Sequence, residues 1–253
     1  MIRKLVPLLF VGLSFLLSKC SEDETPNYPI EPYMEFRSIK FTETPDVTEP
    51  DEIALTFYYR DGDSNLGLDQ SLEYQSDPFH HAYFFRKIDG SPVTSDHFFF
   101  KEASIDDLIQ YSDLDYPPYD TIPYVNKYDC KYWYYYENKF LYYQLNENHF
   151  NILVKFFWSD NGIDFIELDW MELICHTLNG RFPDLSEAKN NSTISSGPFT
   201  IQVKNNFEGK ITYTIQSNGF KPLFGGKKLK ISIQIKDRAL NNSNIIETDI
   251  LEL

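Results

Sequence analysis

Leu229-Lys230-Ile231-Ser232-Ile233-Gln234-Ile235-Lys236 alternates apolar and polar side chains without a break. That is the period of a β-strand with one face buried and the other wet. Ile53-Ala54-Leu55-Thr56-Phe57-Tyr58-Tyr59-Arg60 keeps the same period, with Ile53, Leu55, Phe57 and Tyr59 on one face. Working outward, strands are predicted around Met34, Phe36 and Ile39 to Phe41, then over 81–87, 97–101, 130–136, 140–145, 151–158, 165–174, 199–204, 210–216 and 245–253. Asp160-Asn161-Gly162 reads as the turn of a hairpin. One short helix is predicted after Ser104, which can cap it, with Asp106 and Asp107 in its first turn and Leu108, Ile109 and Tyr111 following. The class is all-β: two immunoglobulin-like, β-sandwich units with one short helix.

The N-terminus reads as an export signal. Arg3 and Lys4 precede an apolar run from Leu5 to Leu17, followed by Leu17-Ser18-Lys19-Cys20. The run is shorter than the roughly 20 residues that span a bilayer as a helix. Leu-Ser-Lys-Cys resembles a lipobox, which makes Cys20 the lipidation site. Acyl chains contribute roughly 0.8 kcal/mol per buried methylene, enough to hold the body at a membrane without a spanning helix. Immediately after Cys20, the first residue of the mature chain, comes the acidic run Ser21-Glu22-Asp23-Glu24, and Pro26, Pro29 and Pro32 make the next segment a stiff tether.

The chain therefore divides into residues 1–19, the signal; 20–33, the tether; 34–179, a β-sandwich domain with a long aromatic-rich insertion; and 180–253, a second immunoglobulin-like unit. The break is placed at Asn179-Gly180-Arg181-Phe182-Pro183, before the polar stretch 186–197. An internal echo supports the division. Ile53 to Arg60 runs into Asp61 and Leu229 to Lys236 runs into Asp237, as equivalent hairpins of two units would.

Removing the signal leaves 20 basic against 38 acidic residues, a formal charge of −18 where the whole chain carries −15. Such a body repels phosphate backbones, so nucleic acid is excluded as a partner, while divalent cations are attracted.

Four constellations carry candidate chemistry. In Asp61-Gly62-Asp63-Ser64-Asn65-Leu66-Gly67-Leu68-Asp69, the residues Asp61, Asp63, Asn65 and Asp69 have the alternating oxygens of a loop around a hard cation such as Ca²⁺. It is not an EF-hand, because Leu66 stands where that loop needs Gly and Leu72 where it needs Glu. A hairpin connection held by Asx turns explains the same residues without metal, and no other cofactor is implied. Cys130 and Cys175 can pair in an oxidising compartment or stay separately buried. The aromatic run around Trp133 and Tyr135 suits either half-buried strands or an exposed interface for glycan or protein. His80-His81 with His97 is a poor zinc set, since adjacent residues of a strand face opposite ways. No Gly-x-Ser-x-Gly elbow is present, and the adjacency of Cys175 and His176 has no catalytic geometry, so the chain is not expected to be an enzyme.

Several motifs taken together are similar to a family of uncharacterised Bacteroidota lipoproteins. They are Phe57 to Asp63 with Leu66-Gly67-Leu68; Asp115-Tyr116-Pro117-Pro118-Tyr119 with Cys130; Cys175 with Gly180-Arg181-Phe182-Pro183; and Lys236 to Asn244 with Glu247-Thr248. The resemblance implies immunoglobulin-like β domains on a surface or periplasmic lipoprotein and supplies no activity. The expectation is an outer-membrane, lipid-anchored, outward-facing accessory or scaffold subunit of an integral outer-membrane complex for protein assembly, secretion or nutrient uptake. A carbohydrate-binding protein and a Ca²⁺-dependent adhesion module are the alternatives.

Overall fold

The computed structural model describes residues 27–46, 48–68, 77–96, 99–100, 103–113 and 126–253. Cys20 and the signal, Asp69, His97 and the 115–119 motif lie outside the described residues. Among the described residues no helix is long and apolar enough to cross a membrane.

The chain is all-β. One sheet contains β1 (Tyr33–Thr42), β2 (Asp51–Arg60), β12 (Glu208–Ser217), β11 (Phe199–Asn205) and β10 (Ser192–Ser196), antiparallel and in that order. A second contains β14 (Ile246–Glu247), β13 (Lys228–Ile235), β8 (Ile152–Ser159) and β9 (Ile166–Leu168), with β15 (Leu251–Glu252) also on β13. The inward faces of both sheets meet in one core that includes Ile53, Leu55, Phe57, Ile211, Ile215, Phe156, Leu229, Ile231 and Ile233. Strand order 1-2-12-11 against 14-13-8 is the ABED and GFC arrangement of a constant-type immunoglobulin sandwich.

Residue 180 is therefore no boundary. β12 pairs with β2 from Glu208 opposite Arg60 to Ser217 opposite Asp51, so a strand from each proposed unit lies side by side in one sheet. The echo between Ile53–Asp61 and Leu229–Asp237 has a different origin from two repeated hairpins. β2 and β13 are inner strands of the facing sheets, and each needs a strictly alternating apolar face for the same core.

Between β2 and β8 the chain makes a smaller sheet. It consists of β5 (Phe99–Phe100), β4 (Pro92–Asp96), β3 (Ala82–Phe85), β7 (Lys139–Leu145) and β6 (Trp133–Tyr136), in that order. Apolar clusters form on either side of it, one around Phe84, Leu141 and Tyr143 and the other around Trp133, Tyr142 and Ile109. The second β unit is this insertion, in the middle of the chain rather than at its end.

Local chemistry explains the remaining differences. Met34 and Phe36 are out of phase with Ile39 and Phe41, and β1 carries a bulge between Phe36 and Ser38 that restores their common face. β10 occupies the polar stretch that follows the expected break, because an edge strand needs backbone pairing but little apolar surface. The helix after Ser104 is a single 3₁₀ turn, Ile105–Asp107, with a complete capping box between Ser104 and Asp107. Leu108 and Gln110 then leave the helical path to bridge Arg86 and Leu141. The α-helices are instead α1 (Trp170–Ile174), within a segment read as strand, and α2 (Phe220–Phe224). α1 begins where Asp169 accepts from the Glu172 amide at 3.2 Å and ends at Cys175 in a left-handed conformation.

Candidate functional site

The candidate site is a cleft of about 770 Å³ between the inserted sheet and the sandwich. Its position follows from covalent and ionic ties. Cys130, just before β6, is joined to Cys175, at the end of α1, with 5.4 Å between their Cα atoms. Lys131 next to it pairs with Asp169, the residue that caps α1. The hydrogen bond from Lys131 is the main reason the Asp169 carboxyl sits below its ordinary range. The 126–136 segment of the insertion is thereby held against the sandwich, and the cleft opens beside the disulfide.

Tyr143 of β7 reaches the base of this wall and donates its hydroxyl hydrogen to the Cys130 carbonyl. Burial pushes its phenol up to about 12, so it stays a neutral donor. Tyr128, 69% exposed, and Tyr135, 58% exposed, flank Phe140 with ring centroids 5.4 and 4.9 Å from it. Lys127 lies over Tyr128 and Phe140, with its ammonium 5.1 and 5.6 Å from their centroids. Tyr135 Oη donates to Asn138 Oδ1 at 2.9 Å.

The structure separates the two aromatic candidates. Tyr135 is exposed at the cleft, while Trp133 is 3% exposed and packs edge-on against Tyr111 and Tyr142. Adjacent residues of β6 face opposite ways but alternate ones do not. What separates Trp133 from Tyr135 is cover, since the 3₁₀ turn at Tyr111–Asp113 lies over Trp133 and not over Tyr135.

The histidines scatter. His80 is fully buried beside the Asn146 amide, and burial pulls its pKa down. His81 faces the cleft, where its ring meets that of His149 edge-on at 5.0 Å. His176 also lines the cleft, a position its adjacency to Cys175 did not reveal. Among the described residues no histidine belongs to a metal-holding cluster.

The acidic loop opens where β2 ends, and none of its described residues lines the cleft. Asp61 and Asp63 each bring a carboxylate oxygen within 4.8 Å of one from Asp237, which the sequence places on a separate loop. Asn65 adjoins them, donating its side-chain amide to Asp63 Oδ2 at 2.7 Å. Asp237 is thus the member that loop spacing could not supply. Its signal was the matching Asp at the end of the echoed strand. Comparison with protein-family models, with curated proteins and with solved structures finds no match for this chain.

Proposed function

We propose that the chain is the body of a surface-exposed, lipid-anchored outer-membrane protein. In this reading it is a non-enzymatic accessory subunit that receives an apolar segment of a partner protein in the cleft beside the Cys130–Cys175 disulfide. The observation that carries the reading is the chemistry of the cleft. Its described lining is mostly aromatic and apolar, with one lysine, three histidines and one threonine, and holds no carboxylate, in a chain of net charge −15. A carboxylate-free recess in an acidic exterior is where a partner buries apolar surface without stranding negative charge. The lipobox-like Leu17-Ser18-Lys19-Cys20 supports the anchor, and the Bacteroidota resemblance supports the outer membrane.

Exposed rings at Tyr128 and Tyr135 favour glycan as a second reading. Lys127 covers a face of Tyr128 and of Phe140, which leaves fewer free ring faces for a sugar to stack on.

The test is purification of the tagged full chain from gently solubilised outer membranes, with identification of the proteins that accompany it. An integral outer-membrane protein is expected to accompany the wild type and to be lost from Tyr128→Ala/Tyr135→Ala, a surface variant that should melt with the wild type. A chain that purifies alone, or a variant that keeps the partner, overturns the proposal. Binding on a glycan array that depends on Tyr135 would select the second reading.

A further inference from the structure

We propose that Asp61, Asp63, Asn65 and Asp237 form a Ca²⁺ site that clasps the two sheets of the sandwich together. Asp61 follows the last residue of β2 and Asp237 lies two residues beyond β13, so the site joins inner strands of opposite sheets.

Burial makes these groups unlike an ordinary surface cluster. Asp61 is 0% exposed and Asp237 2%. Asp61 Oδ2 accepts from the Asn65 amide at 2.8 Å, whereas Asp61 Oδ1 is buried with no donor at all. The side-chain oxygen of Asn65 is likewise buried without a partner. A buried carboxylate oxygen that has given up water without gaining a donor is costly unless a cation or a proton meets it. Among the described residues none of the three carboxylates is in an ion pair. Arg238, next to Asp237 in sequence, pairs with Asp184, and Lys236 donates to Asn148 Oδ1 at 2.7 Å.

The surroundings hold the oxygens in place before any ion arrives. Asp61 donates its amide to the Phe207 carbonyl at 2.8 Å and Gly62 donates to the Pro29 carbonyl at 2.9 Å. Leu66 bridges Asp237, and the Arg238 amide reaches the Asn65 carbonyl. Gly67, with φ +96°, lies so close to Pro183 that a Cβ would stand 2.0 Å from its carbonyl oxygen. Asp237 accepts from the Asn241 amide and side chain at 2.7 and 2.8 Å, which orients its carboxylate while leaving lone pairs for an ion.

The donor set is all oxygen, three of its four members carboxylates, and irregularly spaced. That suits Ca²⁺, which takes six to eight oxygens in flexible geometry and fills open positions with water, better than Mg²⁺, which demands a near-ideal octahedron. Because the Gly62 amide holds Pro29, the ion would also stiffen the point where the tether enters the body.

Calorimetric titration of the EDTA-treated full-length chain with CaCl₂, together with thermal melts in EDTA and in Ca²⁺, tests the site. One ion per chain and a Tm that rises with Ca²⁺ concentration are expected. Asp63→Asn, at the exposed member, and Asp237→Asn should each weaken binding by about 10- to 100-fold or more, the scale on which metal sites respond to loss of a supporting group. Absence of binding heat with an unmoved Tm, a response equalled by Mg²⁺, or full retention of the Ca²⁺ response in both variants would overturn the proposal. None of these readouts depends on the aromatic cleft, so the two proposals stand or fall separately.

Discussion

The Cys130–Cys175 bridge is the tie whose loss the geometry prices most directly. It closes an interval of 45 residues that contains β6, β7, β8, β9 and α1, and so connects the insertion with the sandwich. Replacing both cysteines by serine leaves folded-state packing largely intact, since Lys131 still pairs with Asp169 and Tyr143 still reaches the 130 carbonyl. The change falls mainly on the unfolded chain, which regains the freedom of an open loop. For an interval of that length, the chain-entropy relation gives about 13 to 14 cal/mol/K, or about 4 kcal/mol at 25 °C. In a chain of this size each kcal/mol moves Tm by roughly 2 to 4 °C, so a fall of about 8 to 16 °C is expected. Urea unfolding of the oxidised protein and of Cys130→Ser/Cys175→Ser, followed by tryptophan fluorescence, measures the difference. The variant should also unfold with a steeper urea dependence, because its unfolded state is less compact. A destabilisation below about 1 kcal/mol would refute the reasoning. It would mean that the insertion opens independently and that the bridge constrains only that local event.

Two further outcomes follow from the core and the acidic loop. Phe57→Ala, on the buried face of β2, should cost about 3 to 5 kcal/mol in the same assay, and a loss under about 1 kcal/mol would show that the two sheets do not share one core. Burial, reinforced by the nearby carboxylates of Asp63 and Asp237, pushes Asp61 up to about 7. The metal-free folded chain therefore keeps a proton there that the unfolded chain releases near pH 4, and the resulting stability is complete below about pH 4 and lost as pH rises through about 7. In EDTA, Asp61→Asn should flatten that limb of the Tm profile, and an unchanged slope would count against the buried, uncompensated carboxylate.

How much was legible varies with the range of the interactions that decide each feature. β2 and β13 were readable because each is long, strictly alternating and buried on one face. The 3₁₀ turn at Ile105 carries a real capping signal, but backbone partners at Arg86 and Leu141 claimed the residues after it, and sequence neighbours do not announce such partners. α1 was hidden because Trp170, Met171, Leu173 and Ile174 suit a strand as readily as a helix. The Asp169 cap and the packing of Trp170 against Phe156, Phe220 and Phe224 decide its conformation. Trp133 and Tyr135 read alike, and only the chain covering one of them tells them apart.

From the linear chain alone came the all-β class, the inward faces of the main strands, the cysteines available for pairing and a loop rich in oxygen ligands. Tertiary structure alone decided that residues 51–60 lie beside 208–217, that the insertion makes a sheet of its own, and that Asp237 stands with Asp61 and Asp63. The physical reason is that side-chain periodicity specifies which face of a strand is buried, whereas the backbone ladder beside it is nearly the same for any sequence. Neighbours are therefore chosen by how the whole set of apolar faces closes over one core.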